Sequence, residues 1–477
     1  MILTLALRHL WVKKGRSAML LLGFALGVGV MIVLLSVGEA MLDQSRDAAL
    51  VGGGEVTVLP LGIDVEAMRT GGVSGMFFGI DRARFLTRQL LGGARYAPIV
   101  RAVAPAIEGK IVYLGRNGVT LPVRAGGEIP SRASTVGAGL DLLTGNWSDS
   151  PADSAWTSPS ASHLYDEMDR FHLPQKADST WGEWDYFNVV TGPGEWWYIT
   201  LMVGGEVPDG EWGGQVLITR RAPDGRYEQY ANQVAPAQIA LDTTRADLAL
   251  GTSSLRQSDG TYHLDASATS VSGDARVQIE IRPLPNRYFP PVELREEPLL
   301  SGYVVPGLVA KASGTVCLLD RCRRVDSVPT YHDHNWGVWR GVSWEWGAAR
   351  GSSLALLYGG IYTPETDSAA APFFLTVVDS LGVRQILRFR RIAYSGARPA
   401  SPTGAAMAPG RFEILAGREA DSIRLRVVVE DALASRMGAA GLGRHFLQMR
   451  GRFTVTGRIG GHLVADSGKG FFETYVR

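Results

Sequence analysis

The chain has 477 residues, 45% of them hydrophobic and 20% charged, which excludes a disordered or fibrous protein and allows about three average domains. Lys and Arg number 48 against 47 Asp and Glu, so the net charge of +1 provides no global attraction for nucleic acid, and no nucleic-acid partner is expected. The mean hydropathy of +0.03 leaves no room for a polytopic membrane bundle but can hold one membrane helix within a soluble average.

Residues 17–37 read SAMLLLGFALGVGVMIVLLSV, 21 residues without a charge, the length of helix that crosses the hydrocarbon core of a bilayer. Arg8, Lys13, Lys14 and Arg16 precede the run, and Glu39 and Asp43 follow it. The positive-inside rule therefore places residues 1–16 in the cytoplasm and makes 17–38 a single-pass helix. The bulk of the chain is expected in the periplasm of a bacterial inner membrane. A cleaved signal peptide shares the basic start, but its apolar core is shorter, about 7–15 residues, and VGEAMLDQ offers no small-x-small cleavage site, so an uncleaved anchor is expected. Gly23 and Gly27 form a small-xxx-small pair that lets another helix approach in lipid, although Gly is common in membrane helices.

Residues 55–59 and 110–114 have the β-branched content of strands, and 81–91 has helical spacing with Phe85, Leu86 and Leu90 apolar. A small α+β periplasmic domain over 39–145 follows. The opening ALRHLWVKKGRSAMLLLGFALGVGVMIVLLSVGEAM, with GGGEVTVLP and PIVRAVAPAIEGKIVY, resembles the first helix and periplasmic core of MacB/FtsX-type ABC transporter permeases. The three further helices of such permeases have no counterpart in the sequence. The resemblance therefore implies an anchor, with ABC transporter components as candidate partners, and transport would require other subunits.

Residues 146–180 are polar and Ser/Pro-rich, as in WSDSPADSAWTSPSAS, and are expected to be an exposed linker. Eleven of the twelve tryptophans lie between Trp147 and Trp346. Runs at 196–201, 215–220, 275–281 and 354–358 are strand-length, alternating or apolar, and bounded by turn residues. Long helical periodicity is nearly absent, which disfavours a parallel α/β sheet. The fold class expected is mostly β, with tandem β-barrels at 181–330 and 331–477 that enclose an apolar ligand.

Two clusters carry the chemistry: Glu195-Trp196-Trp197-Tyr198, and Tyr331-His332-Asp333-His334-Asn335-Trp336-Gly337 followed by Trp344-Glu345-Trp346-Gly347. On a strand, Tyr331, Asp333 and Asn335 share one face and His332, His334 and Trp336 the other. Desolvation keeps a buried carboxyl protonated, so Asp333 in an aromatic pocket can act as an acid toward an alkene. The faces of Trp197, Trp344 or Trp346 can stabilise the resulting carbocation, and Tyr331 can orient the acid or the water. The competing reading is structural: an Asp between two histidines can satisfy backbone donors, and Trp-rich strands can simply fill a core.

These clusters resemble the hallmark segments of the AttH / carotenoid 1,2-hydratase family, over roughly residues 181–477. The resemblance implies lipocalin-like barrels and a hydrophobic ligand such as a polyene, terpenoid or lipid. It places Asp333 and Tyr331 at the hydratase positions, with Glu195, Trp196, Trp197, His332, His334, Asn335, Trp336, Trp344 and Trp346 as ligand-binding residues. The alternatives are a non-enzymatic lipid carrier and an accessory subunit of an ABC transporter. The segment Ser301-Gly302-Tyr303-Val304-Val305-Pro306, about 25 to 30 residues upstream of the central cluster, carries neither His nor Trp.

No cofactor is expected. A His-x-His pair on a strand can chelate zinc, but a third ligand is not evident, and His163, His172, His263, His445 and His462 have no supporting spacing, so no metal is assigned. No G-x-S-x-G elbow, P-loop lysine or dinucleotide fingerprint occurs. Cys317 and Cys322 flank a four-residue loop between strand-like runs, and an extracytoplasmic hairpin favours their disulfide over two free thiols.

Overall fold

The computed structural model describes residues 14–46, 56, 58, 80–116, 119–136, 150, 153, 169–174, 176–296, 299–362, 373–401, 406–436 and 445–476. Met1–Ala83 with Ala102–Thr157 form one compact unit, and Arg84–Arg101 with Ser158–Arg477 the other.

In the first unit, helix α1 (Lys14–Arg46) contains Lys14–Gly38, which is long and apolar enough to cross a membrane and has none of its residues buried against protein. Helix α2 (Ile80–Gly92) follows, then the antiparallel hairpin β1 (Ala106–Arg116) and β2 (Val119–Glu128), and the short helix α3 (Pro130–Thr135). The helix expected at 81–91 and the strand expected at 110–114 lie within α2 and β1. The strand expected at 55–59 falls largely outside the described residues. The described residues do not show a self-contained α+β domain over 39–145: Arg84–Arg101, with most of α2 and its following turn, belongs with the β-rich unit. There Arg95 pairs with Asp379 at 2.6 Å, and Gln89 hydrogen-bonds Tyr288.

The second unit begins with a curled antiparallel sheet. Its strands are β3 (Trp181–Gly192), β4 (Glu195–Gly205), β5 (Trp212–Arg221), β6 (Tyr227–Val234), β7 (Ile239–Leu241), β8 (Asp247–Leu250), β9 (Ser253–Ser258), β10 (Thr261–Ser270), β11 (Gly273–Pro283), β12 (Phe289–Glu296), β13 (Leu299–Leu318) and β14 (Arg321–Val338). They run in the order β6-β5-β4-β3-β14-β13-β11-β10-β9-β8-β7, with β12 beside β13. The sheet curls until β6 meets β10: Asn232 Nδ2 donates to the Ser267 carbonyl at 3.2 Å, and its Oδ1 accepts from the Thr269 amide at 3.2 Å. Period-two burial makes this interior. In β10 and β11, Leu264, Ala266, Ala268, Ala275, Val277, Ile279 and Ile281 point inward and their neighbours outward.

The second barrel comprises β15 (Ser343–Gly351), β16 (Ala355–Tyr362), β17 (Phe373–Asp379), β18 (Gly382–Phe389), β19 (Ile392–Ser395), then β20 (Arg398–Pro399) and β21 (Met407–Ala408) as a separate short pair, β22 (Arg411–Arg418), β23 (Asp421–Arg436), β24 (His445–Ile459) and β25 (His462–Val476). Their order is β18-β17-β16-β15-β25-β24-β23-β22-β19, and an additional β18–β22 pairing, Arg388 with Gly417, closes the sheet on itself.

Strands β3 and β15 and the Thr330–Val338 half of β14 break the alternation: nearly every residue is buried on both faces. One face looks into its own barrel and the other toward the neighbouring barrel, where an aromatic cluster that includes Tyr186, Tyr198, Tyr331, Trp346, Phe374 and Phe471 joins the two. Two expected boundaries move accordingly. The first barrel ends at Val338, not at residue 330, because Thr330–Val338 pairs with β3. Residues 169–172 of the expected linker are built into the first barrel, with Phe171 in its core and Asp169 buried.

Candidate functional site

Asp333 lies on the face of β14 turned toward the second barrel, 3% exposed. Its Oδ2 accepts from Tyr331 Oη at 2.6 Å and Trp346 Nε1 at 3.2 Å, and its Oδ1 accepts from Asn335 Nδ2 at 2.8 Å. Trp346 Nε1 also reaches Tyr331 Oη at 3.0 Å. Gly359 permits this placement, since a Cβ there would strike the Trp346 ring. Burial pushes the Asp333 carboxyl up to about 6, against hydrogen bonds and the His332 charge that favour its ionised form. Burial, reinforced by Asp333, raises the Tyr331 phenol as well, so it stays neutral and donates.

The second barrel supplies another carboxyl. Glu473, the register partner of Trp346, accepts from Trp344 Nε1 at 3.0 Å and Gln448 Nε2 at 3.4 Å. Burial, then the Asp333 charge, pushes it up to about 8. Aromatic rings surround the pair: Phe471 lies edge-on to Tyr331 at 4.6 Å, and Tyr303 edge-on to Trp346 at 5.0 Å and stacked on Phe374 at 5.7 Å. On the same face, Tyr186 Oη, Asn188 Nδ2 and Trp196 Nε1 are buried with no hydrogen-bond partner.

The expected ligand residues divide between two faces. Tyr331, Asp333, Asn335, Trp196, Trp344 and Trp346 belong to the inter-barrel side, whereas Trp197 and Trp336 lie in the first barrel's core. Trp197 therefore cannot present its ring to a cation formed at Asp333. Trp196 is covered by Arg450 at 3.9 Å and Arg221 at 4.6 Å, so guanidinium groups already occupy its ring. Glu195 is committed to Arg220 at 2.6 Å and to Arg323, an ion-pair cluster at the start of β4. Glu473, Tyr186, Tyr303, Phe374 and Phe471 escaped the sequence reading; the signal for Glu473 was a carboxylate inside the aromatic run FFETY.

His332 and His334 point into the first barrel. The sequence offers them no adjacent third ligand, but the fold brings carboxylates from 169–185. His332 Nε2 meets Asp169 Oδ2 at 2.9 Å; His334 Nδ1 meets Asp169 Oδ1 at 2.8 Å and its Nε2 meets Glu183 Oε1 at 2.7 Å. His172, which spacing alone left unplaced, reaches Glu183 Oε1 at 3.1 Å and stacks on Trp336 at 3.6 Å. Burial opposes charge on Asp169, yet His332 and His334 hold its carboxyl far below the usual range. Burial likewise opposes the two imidazolium ions, and the carboxylates outweigh it and raise both. Cys317 and Cys322 are register partners at the far end of the β13–β14 hairpin and are joined by a disulfide.

No known family profile matches the chain, so the permease resemblance of the first 145 residues gains no support. No curated protein matches it in sequence. Among solved structures, an AttH candidate from Nitrosomonas europaea is 16% identical with a TM-score of 0.44, covering 64% of this chain and 96% of its own. Kievitone hydratase from Nectria haematococca is 12% identical with a TM-score of 0.42, over 65% and 98% of the two chains. CghA in complex with Sch210972 is 11% identical with a TM-score of 0.41, over 67% and 97%.

Proposed function

We propose that the inter-barrel face binds a hydrophobic small molecule, of the polyene, terpenoid or lipid class, and that Asp333 hydrates or isomerises it by acid catalysis. The observation that carries this reading is a buried carboxyl held by Tyr331, Asn335 and Trp346, inside an aromatic shell that, among the described residues, brings no formal cation into hydrogen-bond contact with it. Such a group exchanges its proton near neutrality instead of remaining ionised. In hydration, the Asp333 proton adds to one alkene carbon and leaves a tertiary carbocation on the other. A water oxygen bonds to that carbon, and the proton it sheds returns to the Asp333 carboxylate, so alkene plus water gives alcohol. Isomerisation shares the first step and ends when the carboxylate removes a neighbouring proton.

Trp346 and Phe471 offer ring faces or edges beside the reacting centre, and Tyr186 Oη and Asn188 Nδ2 are free to hold an oxygen of the ligand or the water. Helix α1 supports a membrane-anchored placement, with the barrels outside and a lipid-phase ligand close at hand. Protease access to the barrels in spheroplasts tests that placement; full protection of an intact chain contradicts it.

The direct test incubates the detergent-solubilised full chain with a prenylated polyene in 18O-labelled water. Hydration adds one labelled water to the product mass, and isomerisation shifts retention without changing mass. Binding without either product, unaltered in Asp333→Asn, leaves a lipid carrier as the reading.

A further inference from the structure

Behind the acid, on the inward face of β14, side chains from three separate stretches of chain converge. His334 Nε2 is paired with Glu183 Oε1 at 2.7 Å, and its Nδ1 faces Asp169 Oδ1 at 2.8 Å and Asp185 Oδ1 at 3.9 Å. His332 Nε2 holds the other Asp169 oxygen at 2.9 Å. One atom stands apart. Asp185 Oδ1 is buried, on a side chain only 8% exposed, and accepts no hydrogen bond. A buried carboxyl oxygen without a hydrogen bond is costly unless a cation comes into direct contact with it, and His334 at 3.9 Å is beyond that reach.

We propose that His334 Nδ1, Asp169 Oδ1 and Asp185 Oδ1 bind one divalent transition-metal ion, of which zinc is the type. All three atoms lie within 4.8 Å of one another. Donors around tetrahedral zinc, with bonds of about 2.0–2.1 Å, stand about 3.4 Å apart. Asp169 must therefore back away, and Asp185 close in, by about half an ångström each. The outer partners are already in position. Glu183 takes the Nε2–H of His334, the ion displaces to solvent the Nδ1 proton that otherwise faces Asp169, and His332 occupies the Asp169 oxygen that the ion does not need. One imidazole and two carboxylates suit zinc or manganese, and the two anionic oxygens neutralise a dication in a dry interior. Water or the second Asp185 oxygen completes the coordination.

A rival triad, His172 Nδ1, Glu183 Oε1 and His334 Nε2, meets the same distance criterion. Its Glu183 oxygen, however, already accepts from the His172 amide at 2.8 Å, and this triad has no orphan atom. The site is structural: it ties β3, β14 and residues 169–172 together, and its ligands face away from Asp333.

The test uses the full chain stripped by chelation and titrated with zinc alone, by calorimetry and thermal melting, with cobalt absorption reporting a tetrahedral site. One equivalent is expected to bind and raise the melting temperature. Asp185→Asn is expected to weaken binding beyond the about 10–100-fold typical of an outer partner such as Glu183→Gln. Without metal, Asp185→Asn should melt no lower than the parent, so a folding failure is separable from a lost ligand. His172→Gln should change affinity by less than the about 10–100-fold of an outer partner. No stoichiometric zinc in the parent chain, equal binding in Asp185→Asn, or a loss that follows His172 instead would each overturn the assignment.

Discussion

The two faces of β14 meet acids under the same burial, Asp169 from outside the strand on one and the strand's own Asp333 on the other, and treat them in opposite ways. Facing inward, Asp169 sits between two imidazoles, and the attraction of opposite charges exceeds the desolvation cost, so it is held ionised. Facing the second barrel, Asp333 has neutral phenol, amide and indole donors, and burial prevails. One residue along a strand thus separates a locked ion network from a carboxyl that can exchange its proton. Burial alone does not predict a buried acid's chemistry; the charge of the groups that meet it decides.

Asp333→Asn tests the contrast most sharply. It keeps the shape and removes the proton, so conversion of the ligand should fall by about 10²–10⁴-fold, the range for a lost general acid, while thermal stability holds or rises because a desolvated carboxyl is gone. Rates measured beside melting curves check both halves. His334→Ala should do the reverse. In the metal-free chain it strands Asp169 and Glu183 without their cation and should cost about 3–5 kcal/mol in denaturant unfolding, as for a broken buried pair. If His334→Ala proved as stable as the parent, the inward ion network would not lock β14 to β3 and residues 169–172.

The pH dependence sharpens the same comparison. Asp333, at about 6, must be protonated to donate, so the rate should be level below that pH and fall about tenfold per unit above it. Stability shifts the same way. The folded-state values of Asp333, Glu345 and Glu473, raised to about 6, 7 and 8, mean that their contribution is full below about pH 4 and is lost as pH climbs through those values. His332 and His334, raised by their carboxylates, add to that loss on the alkaline side. Asp169 acts oppositely: its contribution is present above the ordinary Asp value and is lost only in stronger acid. The melting temperature should therefore be higher at pH 5 than at pH 8, and Glu473→Gln should flatten the difference by at least about 2 °C, the scale of 1 kcal/mol in a domain this large.

The central cluster was legible because a period of two separates Tyr331, Asp333 and Asn335 from His332, His334 and Trp336, and the structure preserves that division. The barrel strands were legible for the same reason, since alternation survives wherever one face meets water. What stayed hidden depends on contacts distant in sequence. Glu473 lies 140 positions from Asp333, and nothing in FFETY says that its odd positions face another barrel. Asp169 lies in a Ser/Pro-rich stretch whose composition signals exposure, yet two histidines far along the chain draw it inside. The boundary at 330 failed because the hallmark cluster reads as the start of a unit, whereas pairing with β3 makes it the last strand of the first barrel.

The smallest effect belongs to the disulfide, which serves as a control for both faces. Cys317 and Cys322 close a loop with a sequence separation of 5 at the end of the β13–β14 hairpin remote from Asp333. Restricting so short a loop in the unfolded chain contributes about 2 kcal/mol at most. Replacing both cysteines with alanine should lower the melting temperature slightly while leaving the pH profile and the rate as they were. A rate change of more than about twofold, well outside what a remote and independent site produces, would mean that the hairpin transmits strain along β14. The two faces could then no longer be treated as separable devices on one rigid strand.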